Sequence, residues 1–123
     1  MNDDKSVWEL TSDALTKAGI ENYPPGIKKG TCKKEYVVFK QDGGSQIGNI
    51  SSEIVYYTFM LYVPQNKYSF LSNFESMVRK VLDEKMYPTI IPTGSKQPDY
   101  YDDNLDAHMR SFTYRNSVRN KRL

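Results

Sequence analysis

The chain has 123 residues, of which 38% are hydrophobic, and it carries 17 Lys and Arg against 15 Asp and Glu. This length fits one domain with one core, and the net charge of +2 is below the excess usual in proteins that bind duplex nucleic acid. One cysteine excludes an internal disulfide and a multi-cysteine zinc site, no apolar run is long enough to span a membrane, and the polar, acidic N-terminus is not typical of a secretory signal.

The first predicted element is a helix over residues 4–18. Trp8 and Thr11 flank its apolar stripe, and Gly19 suits the position just after a helix, with Ile20 supplying the apolar contact that accompanies such an end. The stripe consists of Val7, Leu10, Ala14, Leu15 and Ala18. We expect Val7, Leu10 and Leu15 to be buried.

A connector over residues 21–34 follows, because Pro24 and Pro25 exclude regular helix and central strand. It carries Lys28, Lys29, Lys33 and Lys34, a density of charge that is most often a solvated loop. Residues 35–40 then predict a strand.

Residues 53–63 predict a second strand with apolar side chains on both faces. Such a strand is expected to be central in its sheet, with helices on one side and partial cover, or another chain, on the other. The intervening residues 41–51 are expected to form a projecting flexible loop that orders on assembly. Its key residues are Asp42, Gly43, Gly44 and Gly48.

The clearest helix covers residues 69–85, with Asn66 or Ser69 as its N-cap and Pro88 after its end. Its stripe is Phe70, Leu71, Phe74, Met77, Val78, Val81 and Leu82, of which Phe74, Val78, Val81 and Leu82 are expected in the core. An edge strand near residues 89–91 and an acidic loop over 99–106 follow. A last strand over 107–118 places His108, Arg110, Phe112 and Tyr114 on one face.

The element order α-β-β-α-β-β predicts the α+β class. We expect a two-layer sandwich in which two helices pack on one face of a small, mainly antiparallel sheet. Residues 1–118 would form this single domain, and residues 119–123 a basic tail.

No residue pattern predicts catalysis, a metal site or a cofactor. Cys32 and His108 are each the only residue of their kind, and a lone thiol is usually inert. An EF-hand beginning at Asp99 fails, because Asn104 and Arg110 occupy the positions that need Gly and Glu. The glycine pairs lack the Walker pattern.

Aromatic side chains on the second strand allow another function. Tyr56, Tyr57, Phe59 and Tyr62, with basic residues nearby, are a candidate stacking platform for single-stranded nucleic acid. Aromatic residues on strands are more often part of a core or an interface.

The whole pattern resembles the small tail-terminator and tail-completion proteins of tailed bacteriophages and of phage-derived contractile bacteriocins. The resemblance covers about residues 7–118. It rests on the element order, on Tyr23-Pro24-Pro25, on Tyr36-Val37-Val38-Phe39, on the Tyr-rich strand Ile54-Val55-Tyr56-Tyr57-Thr58-Phe59, and on Asp106-Ala107-His108-Met109-Arg110-Ser111-Phe112-Thr113-Tyr114.

The resemblance implies a structural virion-type protein and no enzyme. Six copies would form a ring on the last ring of the tail tube, stop polymerisation of tube and sheath, and in true phages present the head-docking surface. The partners would be other copies, the tube protein, and in some particles the sheath and head connector, with no membrane and no sequence-specific nucleic acid. Assembly would take place in the bacterial cytoplasm and the product would reside in the particle tail.

The charged segments suggest how such copies meet. We hypothesise that the basic connector and the acidic loop are complementary halves of one interface between subunits, with Tyr56 and Tyr62 contributing. The residues are Lys28, Lys29, Lys33 and Lys34 against Asp99, Asp102, Asp103 and Asp106. Solvation of both segments is the alternative, and a neck connector, a baseplate adaptor or the nucleic-acid module remain open as functions.

Overall fold

The computed structural model describes residues 5–46 and 53–116 and shows two α-helices with a mixed, six-stranded sheet, which confirms the α+β class. The helices are α1 (Val7–Lys17) and α2 (Leu71–Val81), and the strands are β1 (Asn22–Tyr23), β2 (Tyr36–Gln46), β3 (Glu53–Pro64), β4 (Ile90–Lys96), β5 (Tyr100–Asp102) and β6 (Ala107–Asn116). The strand order is β1-β2-β3-β6-β4, and β5 also pairs with β6. The β1–β2 pair is parallel and the other pairs are antiparallel.

The ends of α1 are set by local hydrogen bonds. The Ser6 hydroxyl accepts the Glu9 backbone N–H at 3.1 Å, and the Glu9 carboxylate accepts the Ser6 N–H at 2.9 Å, which is a capping box. At the other end Gly19 has φ 81°, and the buried Ile20 donates its N–H to the Leu15 carbonyl at 3.0 Å. This Schellman-type end confirms the predicted roles of Gly19 and Ile20.

The inward face of α1 is rotated from the predicted one. Leu15 is buried as expected, whereas Val7 is only partly buried against the core. Leu10 is exposed, so its predicted burial is wrong. Trp8 and Thr11 face inward in its place. The Thr11 hydroxyl donates to the Val7 carbonyl at 2.8 Å, and this bond allows a polar side chain to be buried there.

Strand β2 runs past its predicted end. Residues 41–46, expected in the flexible loop, continue the strand, so Asp42, Gly43 and Gly44 lie in β2 and not in a loop. The β2–β3 register shifts between Asp42 and Gly44, where a bulge absorbs one extra residue. Pairing along β3 therefore overrides the local turn signal. Gly48 lies outside the described residues.

A row of stacked aromatic rings crosses the sheet under the helices. Phe39, Phe59 and Phe112 are direct partners on β2, β3 and β6, with ring centroids 5.0 and 5.6 Å apart. Trp8 of α1 stacks on Phe39 at 4.4 Å and donates its indole N–H to the Phe39 carbonyl at 2.7 Å. The Arg79 guanidinium lies 4.0 Å from the Phe112 ring centroid. These contacts hold both helices to one face of the sheet.

Helix α2 lies between a 3-10 segment, Gln65–Phe70, and a π-helical turn, Leu82–Met86. Phe74, Val78 and Leu82 are buried as predicted, whereas Val81 is only half-buried. The predicted caps Asn66 and Ser69 are wrong, because Phe70 occupies the N-cap position and no side chain caps the helix. The 3-10 segment continues directly into α2, so no capping residue is placed at its start.

The structure adds two strands to the predicted order. The edge strand is confirmed as β4, with Pro92 within it, and part of the predicted acidic loop forms β5. The other addition, β1, lies earlier in the chain, within the predicted connector. Strand β6 places His108, Arg110, Phe112 and Tyr114 on one face, as predicted, and Phe112 and Tyr114 of this face belong to the main core beneath the helices. Residues 117–123, including the predicted basic tail, lie outside the described residues. In the ranges described, no helix is long and apolar enough to cross a membrane.

Candidate interaction surface

The face of the sheet opposite the helices has an apolar centre, which we call the open face (Val38, Met60 and Met109). Val38 is the direct partner of Met60, and Met109 lies beside them as the partner of Tyr62. All three centre residues are half-buried. Met60 and Met109 belong to neither of the two buried clusters. This centre has a polar margin, which consists of the exposed Lys40 and of Thr58 and Thr113, direct partners on β3 and β6.

The connector covers one end of the same face. Cys32, Tyr36 and Ala107 form a second buried cluster, against which Tyr62 packs. The rings of Tyr36 and Tyr62 are stacked at 5.1 Å. The predicted interface residue Tyr62 is therefore largely used within the chain, whereas Tyr56 lies half-buried further along β3.

The aromatic residues of β3 do not form one stacking platform. Tyr57 and Phe59 are buried under the helices, on the face opposite Tyr56 and Tyr62. Because neighbouring residues of a strand point to opposite faces, the four rings cannot be presented together. The predicted platform for single-stranded nucleic acid is thus wrong.

The basic connector and the acidic loop lie side by side within one chain. The Cys32 N–H donates to the Leu105 carbonyl at 2.7 Å, which joins the two segments directly. Lys28 lies over the rings of Tyr23 and Tyr36 at 5.3 and 5.4 Å, and Lys34 is 3.8 Å from Glu21. Lys29 and Lys33 are exposed and have no partner among the residues described. Pairing of these segments between copies stays a prediction.

The four aspartates of the acidic loop have different environments. Asp99 binds Arg110, and the Asp102 carboxylate accepts the backbone N–H of Asn104 at 2.9 Å. Asp106 has φ 50° and accepts the Tyr101 hydroxyl at 3.4 Å. Only Asp103 is exposed without a hydrogen bond or ion pair to another described residue.

An ionic cluster, which the sequence analysis missed, connects α2 to the sheet and to the β4–β5 loop. Arg110 of β6 donates to both oxygens of Asp99 at 2.7 and 2.9 Å and to Glu75 at 3.1 Å. Glu75 also binds Arg79 at 2.8 Å and Lys96 at 3.0 Å. Each position carried a local signal: Arg110 lies on the same face of β6 as Phe112, and Glu75 lies one helical turn from Leu71 and Val78. Both side chains are thereby placed at the interior or its margin.

The cluster keeps both carboxylates ionised. Burial opposes the charge on Glu75, but hydrogen bonds from Arg79, Lys96 and Arg110 outweigh it and lower its pKa. The bidentate contact with Arg110 lowers the pKa of Asp99 from 3.8 to about 2, and the Tyr68 hydroxyl, donating at 2.6 Å, acts in the same direction. The carboxylates are thus fixed as anions at neutral pH.

We expect the stability of the protein to fall between about pH 4 and pH 2. The pKa of Asp99 is about 2 in the folded protein and higher in the unfolded chain, so ionisation of this carboxyl stabilises the fold. This contribution, on the order of 1–2 kcal/mol, is complete above the unfolded-state pKa and is lost as the pH falls through the folded-state pKa. Urea unfolding of the wild type and Asp99→Asn at pH 7, 4 and 2.5 measures this. The variant should lose less stability over that interval, and equal losses in both proteins would contradict the assignment.

Cys32 and His108 do not form a dyad. Burial raises the pKa of the Cys32 thiol, whose S–H donates to the Lys34 carbonyl at 3.3 Å. The His108 ring lies between those of Tyr68 and Tyr101 and makes a 3.1 Å bond to the Gln65 carbonyl. No hydrogen bond or ion pair joins the two side chains in the described part of the chain.

The arrangement as a whole suits contact with another macromolecule, since an apolar centre with polar margins is the usual anatomy of an interface. The sequence matches no protein family model, and no curated protein matches it significantly.

Proposed function

We propose that this protein is a structural subunit of the tail-terminator kind, which assembles as a ring on the end of a tail tube and ends polymerisation there. The observation that carries the proposal is the open face: the helices pack on one side of the sheet, and Met60 and Met109 on the other side are only half-buried and belong to neither buried cluster.

The packing of the helices on the sheet supports this proposal. Trp8, Phe74 and Arg79 all pack on the side of the sheet that carries Phe39 and Phe112. An antiparallel sheet with one solvated face normally alternates apolar and polar residues. Here the second face is apolar at its centre, which is typical of a surface that a partner covers.

The remaining features of the proposal come from the resemblance in element order and in the β2, β3 and β6 segments. They are a ring of six copies, contact with the tube and sheath, docking to a head connector in true phages, and residence in the tail of the particle. No catalytic step, metal or cofactor is part of this function. A neck connector or baseplate adaptor would use the same apolar surface, and tail length distinguishes those functions from a terminator.

Deleting the protein should give over-long or unfinished tails, because nothing would then stop addition to the tube. Electron microscopy of particles with and without the protein measures tail length and the form of the upper end. Tails of normal length and normal termination in its absence would remove the terminator function.

A point variant tests whether the open face carries the function. Met60→Lys places a charge at the centre of this surface and should reproduce the deletion phenotype with the fold retained. Met77→Lys is the matched control, because Met77 lies on α2 and is 42% exposed. Normal tails with Met60→Lys would exclude the open face as the contact surface.

A further inference from the structure

A cleft of about 740 Å³ lies between α1 and the turn that follows α2. Leu10, Ala14 and Met86 supply its apolar lining, and Thr89 lies at the end next to β4. Leu10 of α1 was expected in the core, but it is exposed and lies at the surface of this cleft. The cleft therefore offers apolar surface that the chain itself does not cover.

The rim of the cleft is basic. Lys17 and Lys85 line it and have no hydrogen-bond or ion-pair partner among the residues described. Lys5 also lines it, but its ammonium group is 2.6 Å from the Asp13 carboxylate. Two uncompensated cations beside an apolar lining favour an occupant that is acidic and partly apolar.

The chain carries a segment of that chemistry in its acidic turn (residues 100–106). Tyr100 is 58% exposed, and Asp103 is the one exposed aspartate of the turn without a bond to another described residue. An exposed tyrosine is a common anchor at protein interfaces, and the Asp103 carboxylate adds a charge opposite to that of the cleft rim. The turn and the cleft are thus complementary in charge and in apolar character.

The two surfaces lie at opposite ends of the sheet. The turn precedes Ala107, where β6 begins. The cleft is lined by Thr89, which directly precedes Ile90, the partner of Asn116 at the other end of β6. At the usual rise of a strand the ends of β6 are roughly 30 Å apart. One chain therefore cannot place its own turn in its own cleft, but a second copy can.

We propose that the acidic turn of one copy docks in the basic cleft of the next. This inference rests on the proposed function and specifies how its copies meet. Because the two surfaces are unlike, the contact is heterologous, and repeating it closes a ring when the rotation between copies allows. It replaces the connector with the cleft as the basic partner, since the backbone of the connector is already hydrogen-bonded to the turn of its own chain, from Cys32 to Leu105.

Cross-linking tests the contact directly. Cysteines at Ala14 and Asp103 in one chain should react across each joint with a short bismaleimide and give a ladder of covalent oligomers on a denaturing gel. The pair Ala14→Cys with Lys29→Cys is the matched control, and the buried Cys32 stays in place in both. The reaction is run on concentrated protein and on tail tubes purified from particles that lack this protein.

Charge reversal gives the second readout. Lys17→Glu with Lys85→Glu should lower the ladder yield and the amount of protein bound per tube at least about tenfold, because like charges then meet at every joint. The control Lys29→Glu with Lys33→Glu changes the net charge by the same amount. It should leave the ladder yield and the amount of protein bound per tube unchanged. Adding Asp103→Lys to Lys85→Glu should restore part of the loss seen with Lys85→Glu alone.

The outcomes separate the two proposals. No ladder through residues 14 and 103, or normal assembly of the Lys17 and Lys85 variant, overturns the cleft contact even if deletion lengthens the tails. Loss of assembly only in the Lys29 and Lys33 variant would instead favour the connector. The terminator function would be refuted if the wild-type protein did not bind tubes and tails were normal in its absence. In that case the covalent ladder formed in solution would still test the cleft contact.

Discussion

Replacing Phe74 by Ala should lower the free energy of unfolding by roughly 3–5 kcal/mol, the largest effect we expect of a single substitution. Its side chain is fully buried and packs in the main core against Phe70 at a ring distance of 5.9 Å. The substitution removes apolar contacts and leaves a cavity between α2 and the sheet. The packed core around this cavity cannot readily collapse to fill it. Urea or thermal unfolding at pH 7 measures the change.

Met77→Ala is the matched control on the same helix. The sequence places Met77 on the apolar stripe with Phe74, but the structure leaves it 42% exposed. Its truncation should therefore change stability by less than about 0.5 kcal/mol. A cost for Phe74→Ala well below 3 kcal/mol, or equal costs for both variants, would show that α2 does not pack as described.

The elements with strong periodicity were predictable from the sequence. The buried centre of the α2 stripe, the central position of β3 and the alternation of β6 each follow from one local pattern and are found in the structure, although Met77 of that stripe is exposed. In α1 the same reasoning selected Leu10 over Trp8. Periodicity identifies an apolar arc, but it does not show that one indole can stack on Phe39 and bond to its carbonyl.

Features that depend on pairing between distant segments were not predictable in this way. Gly43 and Gly44 signal a turn locally, yet the long partner strand β3 holds them in β2 through a bulge. The ionic cluster joins residues 75, 79, 96, 99 and 110, and no local pattern relates residues so far apart. The open face was partly predictable, because both faces of β3 are apolar in the sequence, whereas the cover provided by the connector was not.

Replacing Arg110 by Met should cost roughly 3 kcal/mol, because it leaves two partly buried carboxylates without their shared cation. The Arg110 side chain is only 12% exposed and makes ion pairs with both Asp99 and Glu75. Met preserves much of the apolar stem of the side chain but supplies no donor. Arg79 and Lys96 remain as partners of Glu75, so Asp99 carries most of the uncompensated charge.

Lys96→Met is the control for Arg110→Met, since it removes a cation from the same cluster at a position that is 47% exposed. Solvent screens that contact, and its loss should cost less than about 1 kcal/mol. The acid dependence separates charge from packing. Without Arg110 the pKa of Asp99 should return toward 3.8, so the stability gap between wild type and Arg110→Met should narrow as the pH falls from about 4 to about 2. A gap that stays constant over this interval would mean that Arg110 acts through packing and not through its charge.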